Sequence, residues 1–175
     1  MGSAPDLPTL IRAAVRGDRE ALDQLYRRFA RAVHGVLLAR LGREDAEDVV
    51  HDVFMHAFAH LNELREPAAF GGWICAIARR RATDHVRRAR PTEPLDDFGD
   101  RFAAADRPDL AAEAHAALNA IQTLPEAYRE TLTLRLVEGL SGPEIAALTD
   151  LTPDSVRVNL HRGFRLLRER LGVRT

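Results

Sequence analysis

The sequence predicts an all-α protein: two small helical domains joined by a flexible acidic linker, the C-terminal one a helix-turn-helix. Ala, Leu, Arg and Glu dominate the chain, and apolar residues recur three or four positions apart along most of it, which is typical of amphipathic helices. The stretch from Pro91 to Pro108 interrupts this pattern with three prolines and five acidic residues, a composition typical of linkers. We therefore expect domains over 1–90 and 110–175 that a protease can separate by cutting the linker, 91–109.

The composition excludes several classes of protein. Apolar residues make up 46% of the 175 residues and charged residues 29%, so the chain can form packed cores and carries an ordinary amount of charge. No run approaches the ~18 apolar residues of a membrane span, and the N-terminus lacks the basic start and apolar run of a secretory signal. Cys75 is the single cysteine, which excludes an internal disulfide and fits a reducing cytoplasm.

Charge is distributed unevenly along the chain, although the net charge is only -1. Residues 79–90 hold six arginines and one acid, residues 93–113 hold seven acids and two arginines, and residues 155–175 hold six arginines and one acid. Two basic segments on either side of an acidic one are consistent with two polyanion-binding surfaces on a tether. The alternative is that these segments are ordinary solvated helix faces.

Four helices are expected in the N-terminal domain, over 7–15, 19–41, 43–61 and 70–88. Gly17 and Asp18 suit the end of the first helix and the N-cap of the second. Gly42 suits the end of the second helix, and Pro67 lies in the break over 62–69. The apolar residues expected to face inward are Leu22, Leu25, Phe29, Val33, Val36, Ala46, Val49, Val50, Phe54, Ala57, Phe58, Trp73, Ile74, Ile77, Ala78 and Val86.

The C-terminal domain is expected to begin near residue 110 and to form helices up to 124 and over 126–138, 141–149 and 153–171. Ser141 can cap the third of these, with Glu144 three residues later as its capping-box partner. Thr152 can cap the last helix, because Pro153 then takes the first helical position, where its missing N–H is not needed. The residues expected on the buried face of that helix are Val156, Leu160, Phe164, Leu167 and Leu171.

The last two helices have the pattern of a DNA-binding helix-turn-helix. Arg157, His161, Arg162 and Arg165 fall away from the buried stripe, so the front of the second helix is basic and exposed. Such a helix fits the major groove, where arginine can bind guanine edges or phosphates. The alternative is an ordinary helical hairpin with a solvated basic face.

The run LPEAYRETLTLRLVEGLSGPEIAALTDLTPDSVRVNLHRGFRLLRERL resembles the −35-binding domain of bacterial sigma factors, especially the small extracytoplasmic-function group. The matching features are Leu-Pro, Arg-Glu, Leu-Arg, Glu-Gly-Leu-Ser and Glu-Ile-Ala, followed by a Val-basic-x-x-Leu-x-Arg helix. The chain departs from the family pattern at Asp150, Asp154, Ser155, Val158 and Asn159. The residues that the resemblance assigns to −35 DNA are Thr152, Pro153, Ser155, Arg157, Val158, His161, Arg162 and Arg165.

The stretches GDREALDQLYRRF, AEDVVHDVF and FGGWICAIARRRATDHVRR resemble the sigma domain that binds core RNA polymerase and the −10 element. The resemblance implies that Glu47, Asp48, His51 and Asp52 contact core polymerase, although the family usually has Gln at the position of His51. It also implies a loop over 64–69 that holds an extruded base, at an unstacking cost of a few kcal/mol; the family often has Asn at the position of Arg80. The residues assigned to −10 binding and melting are Leu64, Arg65, Glu66, Ala68, Arg79, Arg80, Arg81, Arg87 and Arg88.

The function implied by this resemblance is that of a cytoplasmic sigma factor, not an enzyme. Its partners would be the beta and beta-prime subunits of core RNA polymerase, promoter DNA and an anti-sigma factor, with no cofactor and no metal. One alternative is a helix-turn-helix regulator that acts without core polymerase. A second is a helical metalloenzyme, because Asp48, Asp52, His56 and His60 recur every four residues; however, such a bundle needs a second Glu-x-x-His on a facing helix, and the sequence has none.

Overall fold

The structure is a computed structural model that describes residues 5–89 and 116–172. The predicted linker, 91–109, lies outside the described residues. Within the two ranges all regular elements are helical, in agreement with the predicted fold class. The first range, called the N-terminal half, forms α1 (Leu7–Val15), α2 (Arg19–Leu38), α3 (Arg43–Ala59), two short 3-10 turns (Leu61–Glu63 and Pro67–Ala69) and α4 (Phe70–Ala89). The second, called the C-terminal half, forms α5 (116–122), α6 (Glu126–Leu136), α7 (Gly142–Leu148) and α8 (Pro153–Arg170).

The helix ends follow the capping residues of the sequence. Asp6 caps α1 by accepting a hydrogen bond from the backbone N–H of Thr9 at 2.9 Å. Gly17 then reverses the chain at φ 84°, a conformation that favours glycine. Asp18 caps α2 through the N–H of Glu20 at 2.9 Å. These interactions join neighbours in sequence, and for this reason they could be predicted without tertiary information.

The core of the N-terminal half lies between α2, α3 and α4, with α1 packed across one end. Leu25 and Val33 of α2, Phe54 of α3, and Phe70 and Ile74 of α4 are all fully buried. Burial of each such side chain contributes roughly 1.5–3 kcal/mol. The described residues include no helix long and apolar enough to span a membrane.

A smaller core joins α5, α6 and α8 in the C-terminal half. Ile121, Leu124, Leu132 and Leu167 are its buried members. Gly163 lets α8 approach α6 closely, because a Cβ at this position would lie 2.9 Å from Cδ1 of Leu132. The sequence analysis did not identify Gly163; the available signal was a glycine inside an otherwise strong helical pattern.

The two halves also pack against each other. Leu134, Ile145, Leu148 and Val156 of the C-terminal half belong to the same buried cluster as the N-terminal core. α6 packs against α2, and α7 packs against α4. Gly35 marks the closest approach, because a Cβ there would lie 2.8 Å from both Leu134 Cδ2 and Glu138 Cγ. The sequence did not predict this contact between the halves, since it brings together residues that lie far apart in the chain.

Some predicted boundaries and inward faces are wrong. α2 ends at Leu38 rather than at 41, because the chain tightens there and the N–H of Arg40 donates to the carbonyl of Leu37 at 2.9 Å. Val86, expected inside, is 36% exposed, because the buried stripe of α4 ends at Ala82. Leu171, also expected inside, is 42% exposed, because it follows the last residue of α8.

Candidate nucleic-acid and polymerase interfaces

The helix-turn-helix is built from α7, a turn over 149–152, and α8. The predicted capping box is present: the backbone N–H of Ser141 donates to Glu144 at 2.7 Å, and the backbone N–H of Glu144 donates to the Ser141 hydroxyl at 3.4 Å. The hydrogen bonds from Ser141 hold the pKa of Glu144 below its usual value. Thr152 caps α8 by accepting from the backbone N–H of Ser155 at 3.2 Å. These caps fix where the recognition helix begins and therefore which side chains its first turns present.

The predicted DNA-reading face of α8 is largely open to solvent. Leu167 is buried in the smaller core of the C-terminal half, and Val156 is buried in the cluster that both halves share. Leu160 and Phe164 are half-buried. Ser155 is half-buried at the edge of the face. The exposed members of the predicted −35 set are Thr152, Pro153, Arg157, Val158, His161, Arg162 and Arg165.

The exposed arginines of α8 make only weak local contacts. Arg157 lies 3.2 Å from Asp154, and the two side chains are 79% and 87% exposed. Arg165 lies 3.9 Å from Glu169. Exposed pairs of this kind contribute roughly 0–1 kcal/mol, so a DNA phosphate or base can displace them at little cost.

The predicted polymerase-binding residues form one exposed patch on α3, which we call the acidic face: Glu47, Asp48, His51 and Asp52. Glu47 pairs with Arg43 on the same helix at 3.0 Å, and the side chains of Asp48, His51 and Asp52 are exposed as well. The exposed side chain of Met55, 58% accessible, extends the patch by one turn. The acidic face and Met55 are therefore both accessible to another molecule.

The two histidines that follow the acidic face lie side by side near the end of α3. The rings of His56 and His60 lie 4.3 Å apart, and Arg80 and Arg81 lie near His56. Burial and these positive neighbours hold the pKa of His56 below its usual value. Within residues 5–89 and 116–172, no three His, Cys, Asp or Glu side chains come together in a way that could hold a metal ion.

Most of the residues predicted to bind the −10 element lie on the surface. Arg65, Glu66 and Ala68 are exposed in the loop before α4, and Leu64 is half-buried against the core. Glu66 accepts from the N–H of Ala68 at 3.4 Å and so caps the short turn that precedes α4. The remaining surface members are Arg80, Arg81, Arg87 and Arg88, of which Arg81 is half-buried.

Arg79 departs from that basic surface. Its guanidinium donates to the Glu130 carboxylate at 2.7 and 3.1 Å and to the carbonyl of Leu148 at 3.0 Å. It therefore lies between the halves, whereas the next residue, Arg80, is exposed. The physical reason is that the C-terminal half places the buried carboxylate of Glu130 within hydrogen-bonding distance of its guanidinium.

Glu130 is the centre of this contact and was missed by the sequence analysis. Its side chain is 12% exposed and also accepts from Arg40 at 2.7 Å. Burial alone raises the pKa of Glu130, but the hydrogen bonds and charges of Arg79 and Arg40 outweigh it and hold the pKa below its usual value. Glu130 is therefore a buried carboxylate that two arginines from the other half keep ionised.

A second polar contact between the halves surrounds Glu138, whose side chain is 8% exposed. His34 Nδ1 lies 2.8 Å from its carboxylate, and Arg31 donates to its backbone carbonyl. Glu130, Leu134 and Glu138 recur every four residues on the face of the α6 segment that meets the N-terminal half. The sequence signal for this interface was therefore an apolar residue, Leu134, with one glutamate four residues before it and another four residues after it.

Each half of the chain matches a known protein family. Residues 25–92 match the family model of sigma-70 region 2, and residues 114–167 match that of sigma-70 region 4. The chain is 33% identical over 162 residues to RNA polymerase sigma factor CarQ of Myxococcus xanthus, covering 89% of this chain and 92% of CarQ. It is also 33% identical over 168 residues to the ECF sigma factor SigM of Mycobacterium tuberculosis, covering 93% and 83%.

Solved structures share the fold. CnrH, in complex with the cytosolic domain of CnrY, superimposes with a TM-score of 0.68 at 23% identity, over 95% of this chain and 97% of that one. The sigma factor RpoE of Bartonella quintana, in complex with the anti-sigma factor NepR, gives a TM-score of 0.56 at 19% identity, over 87% and 98%. Both structures therefore share the fold of this chain.

Proposed function

The chain belongs to the extracytoplasmic-function group of RNA polymerase sigma factors, and from that membership we propose how its surfaces divide the work of initiation. The acidic face of α3 binds core polymerase, at its beta-prime subunit, and the beta subunit contributes further contacts. α4 and the loop over 64–69 bind and melt the −10 element. The recognition helix α8 reads the −35 element. The chain binds promoter DNA and positions core polymerase on it, while core polymerase carries out RNA synthesis.

The observation that carries this proposal is the combined match to regions 2 and 4, in order, over one chain. A DNA-binding regulator that acts without polymerase would need only the helix-turn-helix. The exposed acidic face is a surface that such a regulator would not use. The domain division with a linker over 91–109 belongs to the proposal, since the linker must let both DNA-binding surfaces reach their elements.

Control by an anti-sigma factor is the second part of the proposal. In the two similar structures, CnrH is bound to the cytosolic domain of CnrY and RpoE is bound to the anti-sigma factor NepR. We extend this form of control to the present chain, which would act in the cytoplasm beside polymerase. Purification of the tagged chain from its native host should bring down an inhibitor, and release of that inhibitor should raise transcription from the target promoters. Unchanged transcription after deletion of every co-purifying candidate would contradict this part.

The decisive experiment mixes the chain with core RNA polymerase and promoter templates selected from the host genome. We expect promoter-dependent RNA only when both are present. DNA protection at the −35 and −10 elements should likewise require core polymerase. Protection of palindromic DNA by a homodimer of the chain, with no effect on polymerase, would favour the regulator that acts alone.

A further inference from the structure

The rotation of α8 about its own axis is fixed by two contacts with α6. Gly163 packs against Leu132, because a Cβ on this glycine would lie 2.9 Å from Cδ1 of Leu132. The side-chain amide of Asn159 donates to the backbone carbonyl of Ala127, near the start of α6, at 3.1 Å. These contacts determine which side of α8 faces away from the protein, and therefore which side chains a DNA duplex meets.

Val158 lies at the centre of this outward side. At 3.6 residues per turn it is about 160° around the helix from Val156 and about 180° from Leu167, and both of those residues are buried. Val158 is 40% exposed and belongs to neither of the apolar clusters that the described residues form. Arg157 and Arg162 are exposed as well. The outward side therefore presents an apolar side chain between two arginines.

The fold gives no reason for a valine at this position. Valine forms helices less readily than alanine or leucine, because its branched side chain has little freedom in a helix. Single exposed apolar residues are common on protein surfaces, so what distinguishes Val158 is its place within the first two turns of α8. These turns of a recognition helix contact base edges. The chain also departs from the sigma-factor pattern at Val158, so the contact that it makes is specific to this chain.

The major groove offers one partner for an apolar side chain. Hydrogen-bonding groups line the edges of all four bases, whereas thymine alone adds a methyl group, at C5. We propose that Val158 reads a thymine of the −35 element through this methyl group, so that the chain selects a T·A pair at one −35 position. The inference rests on the proposed function, because it assumes that α8 lies in the major groove of the −35 element.

The size of the effect follows from the apolar surface that the contact removes from water. Withdrawal of one methyl group from water changes an affinity about fourfold, or roughly 0.8 kcal/mol. This is less than the discrimination that an arginine gains from two hydrogen bonds to guanine. Loss of the Val158 contact should therefore leave promoter binding intact and change only the preference for one base.

The test uses the holoenzyme formed by the full chain with core RNA polymerase, and its equilibrium affinity for promoter duplexes. Each thymine of the −35 element is replaced in turn by deoxyuridine, which removes the C5-methyl group and keeps the hydrogen-bonding groups of the base. The wild-type chain is compared with Val158→Ala, Val158→Thr and Leu171→Ala. Leu171 is a matched control, because it is apolar and 42% exposed and lies about 20 Å farther along the axis of α8. Circular dichroism checks that each variant is folded.

We expect deoxyuridine at one −35 thymine to weaken binding by the wild-type chain and by Leu171→Ala about fourfold. The same replacement should leave the affinity of Val158→Ala unchanged, and Val158→Thr, which retains one methyl group, should keep part of the preference. Any effect of deoxyuridine on the duplex itself is common to all four proteins.

Two results would overturn the inference and leave the proposed function intact. One is an equal response of the wild-type chain and Val158→Ala at every thymine, with promoter-dependent transcription by both. The other is a −35 element that lacks thymine. If the wild-type holoenzyme neither binds nor transcribes any promoter duplex, the proposed function fails, and the inference fails with it.

Discussion

Replacement of Arg79 by alanine should weaken the packing of the two halves against each other, which we call the closed arrangement. The same replacement at its neighbour Arg80 should not weaken it. The Arg79 side chain is 21% exposed and makes hydrogen bonds to Glu130 and to Leu148. Arg80 is exposed. The two residues are adjacent, carry the same charge and occupy the same helix, so one is a matched control for the other.

The expected loss of stability of the closed arrangement follows from the hydrogen bonds that Arg79→Ala removes, to Glu130 and to the carbonyl of Leu148. A hydrogen bond to a charged group contributes about 1.5–3 kcal/mol, and a neutral one about 0.5–1.5 kcal/mol. The variant still contains Arg40, which lies 2.7 Å from Glu130 in the wild-type chain, so the carboxylate keeps one partner and the lower end of the range applies. We expect Arg79→Ala to cost about 2 kcal/mol, which is roughly 30-fold in the population of the closed form. Arg80→Ala should stay within about 0.5 kcal/mol, as for most surface substitutions.

The assay is a urea titration of the chain with dyes attached at Arg27→Cys on α2 and Glu169→Cys on α8, both exposed positions. Energy transfer between the two dyes is the signal for closure. A double-mutant cycle of Arg79→Ala and Glu130→Gln should give a coupling energy of at least about 1 kcal/mol, because the two side chains are in direct contact. Equal losses from Arg79→Ala and Arg80→Ala would refute this reasoning. So would additive effects of Arg79→Ala and Glu130→Gln, since additivity would mean that the contact does not stabilise closure.

Three further predictions concern the other surfaces. Alanine substitutions on the acidic face should weaken core polymerase binding. They should hardly change the urea midpoint, because exposed ion pairs contribute roughly 0–1 kcal/mol to the free energy of unfolding. A large loss of stability with unchanged polymerase affinity would contradict the assignment. If Arg157 reads a guanine, Arg157→Ala should lose about 1–3 kcal/mol of base discrimination at one −35 position. A template whose −10 region is already mismatched should restore transcription by Arg80→Ala and Arg81→Ala but not by Arg157→Ala. Equal restoration for both classes would disprove this division of roles. Because closure holds the pKa of Glu130 below its ordinary value of 4.5, its stabilisation is complete above that value and declines as the pH falls below it. Energy transfer should therefore drop in acid in the wild-type chain, and Glu130→Gln should lack that step.

Sequence reasoning worked well where the determining interactions are local. Asp18, Ser141 and Thr152 cap their helices through backbone groups two or three residues away. A short carboxylate or hydroxyl next to an apolar repeat therefore identified these helix starts. The same holds for the exposure of Arg157 and Asp52, because a helix of known phase fixes which side chains point away from its buried stripe.

The ends of those stripes were less predictable. Val86 and Leu171 continue the apolar spacing of α4 and α8, yet both are exposed because their helices extend past the elements that cover them. Periodicity tells which side of a helix is apolar and not how far the neighbouring helices reach. Gly163 is a similar case, since only the position of Leu132 shows why a side chain is excluded there.

The sequence by itself determined the helical class, the capped helix-turn-helix, the family resemblance, and the acidic and basic faces, because each depends on residues within a few turns of one another. Only the tertiary structure decided that the two halves pack together and that Arg79 faces Glu130, 51 residues away in the chain. A contact at that separation depends on how two independently formed surfaces fit. The attraction between these charges must offset the cost of removing them from water. The sequence does not indicate which arginine meets which carboxylate.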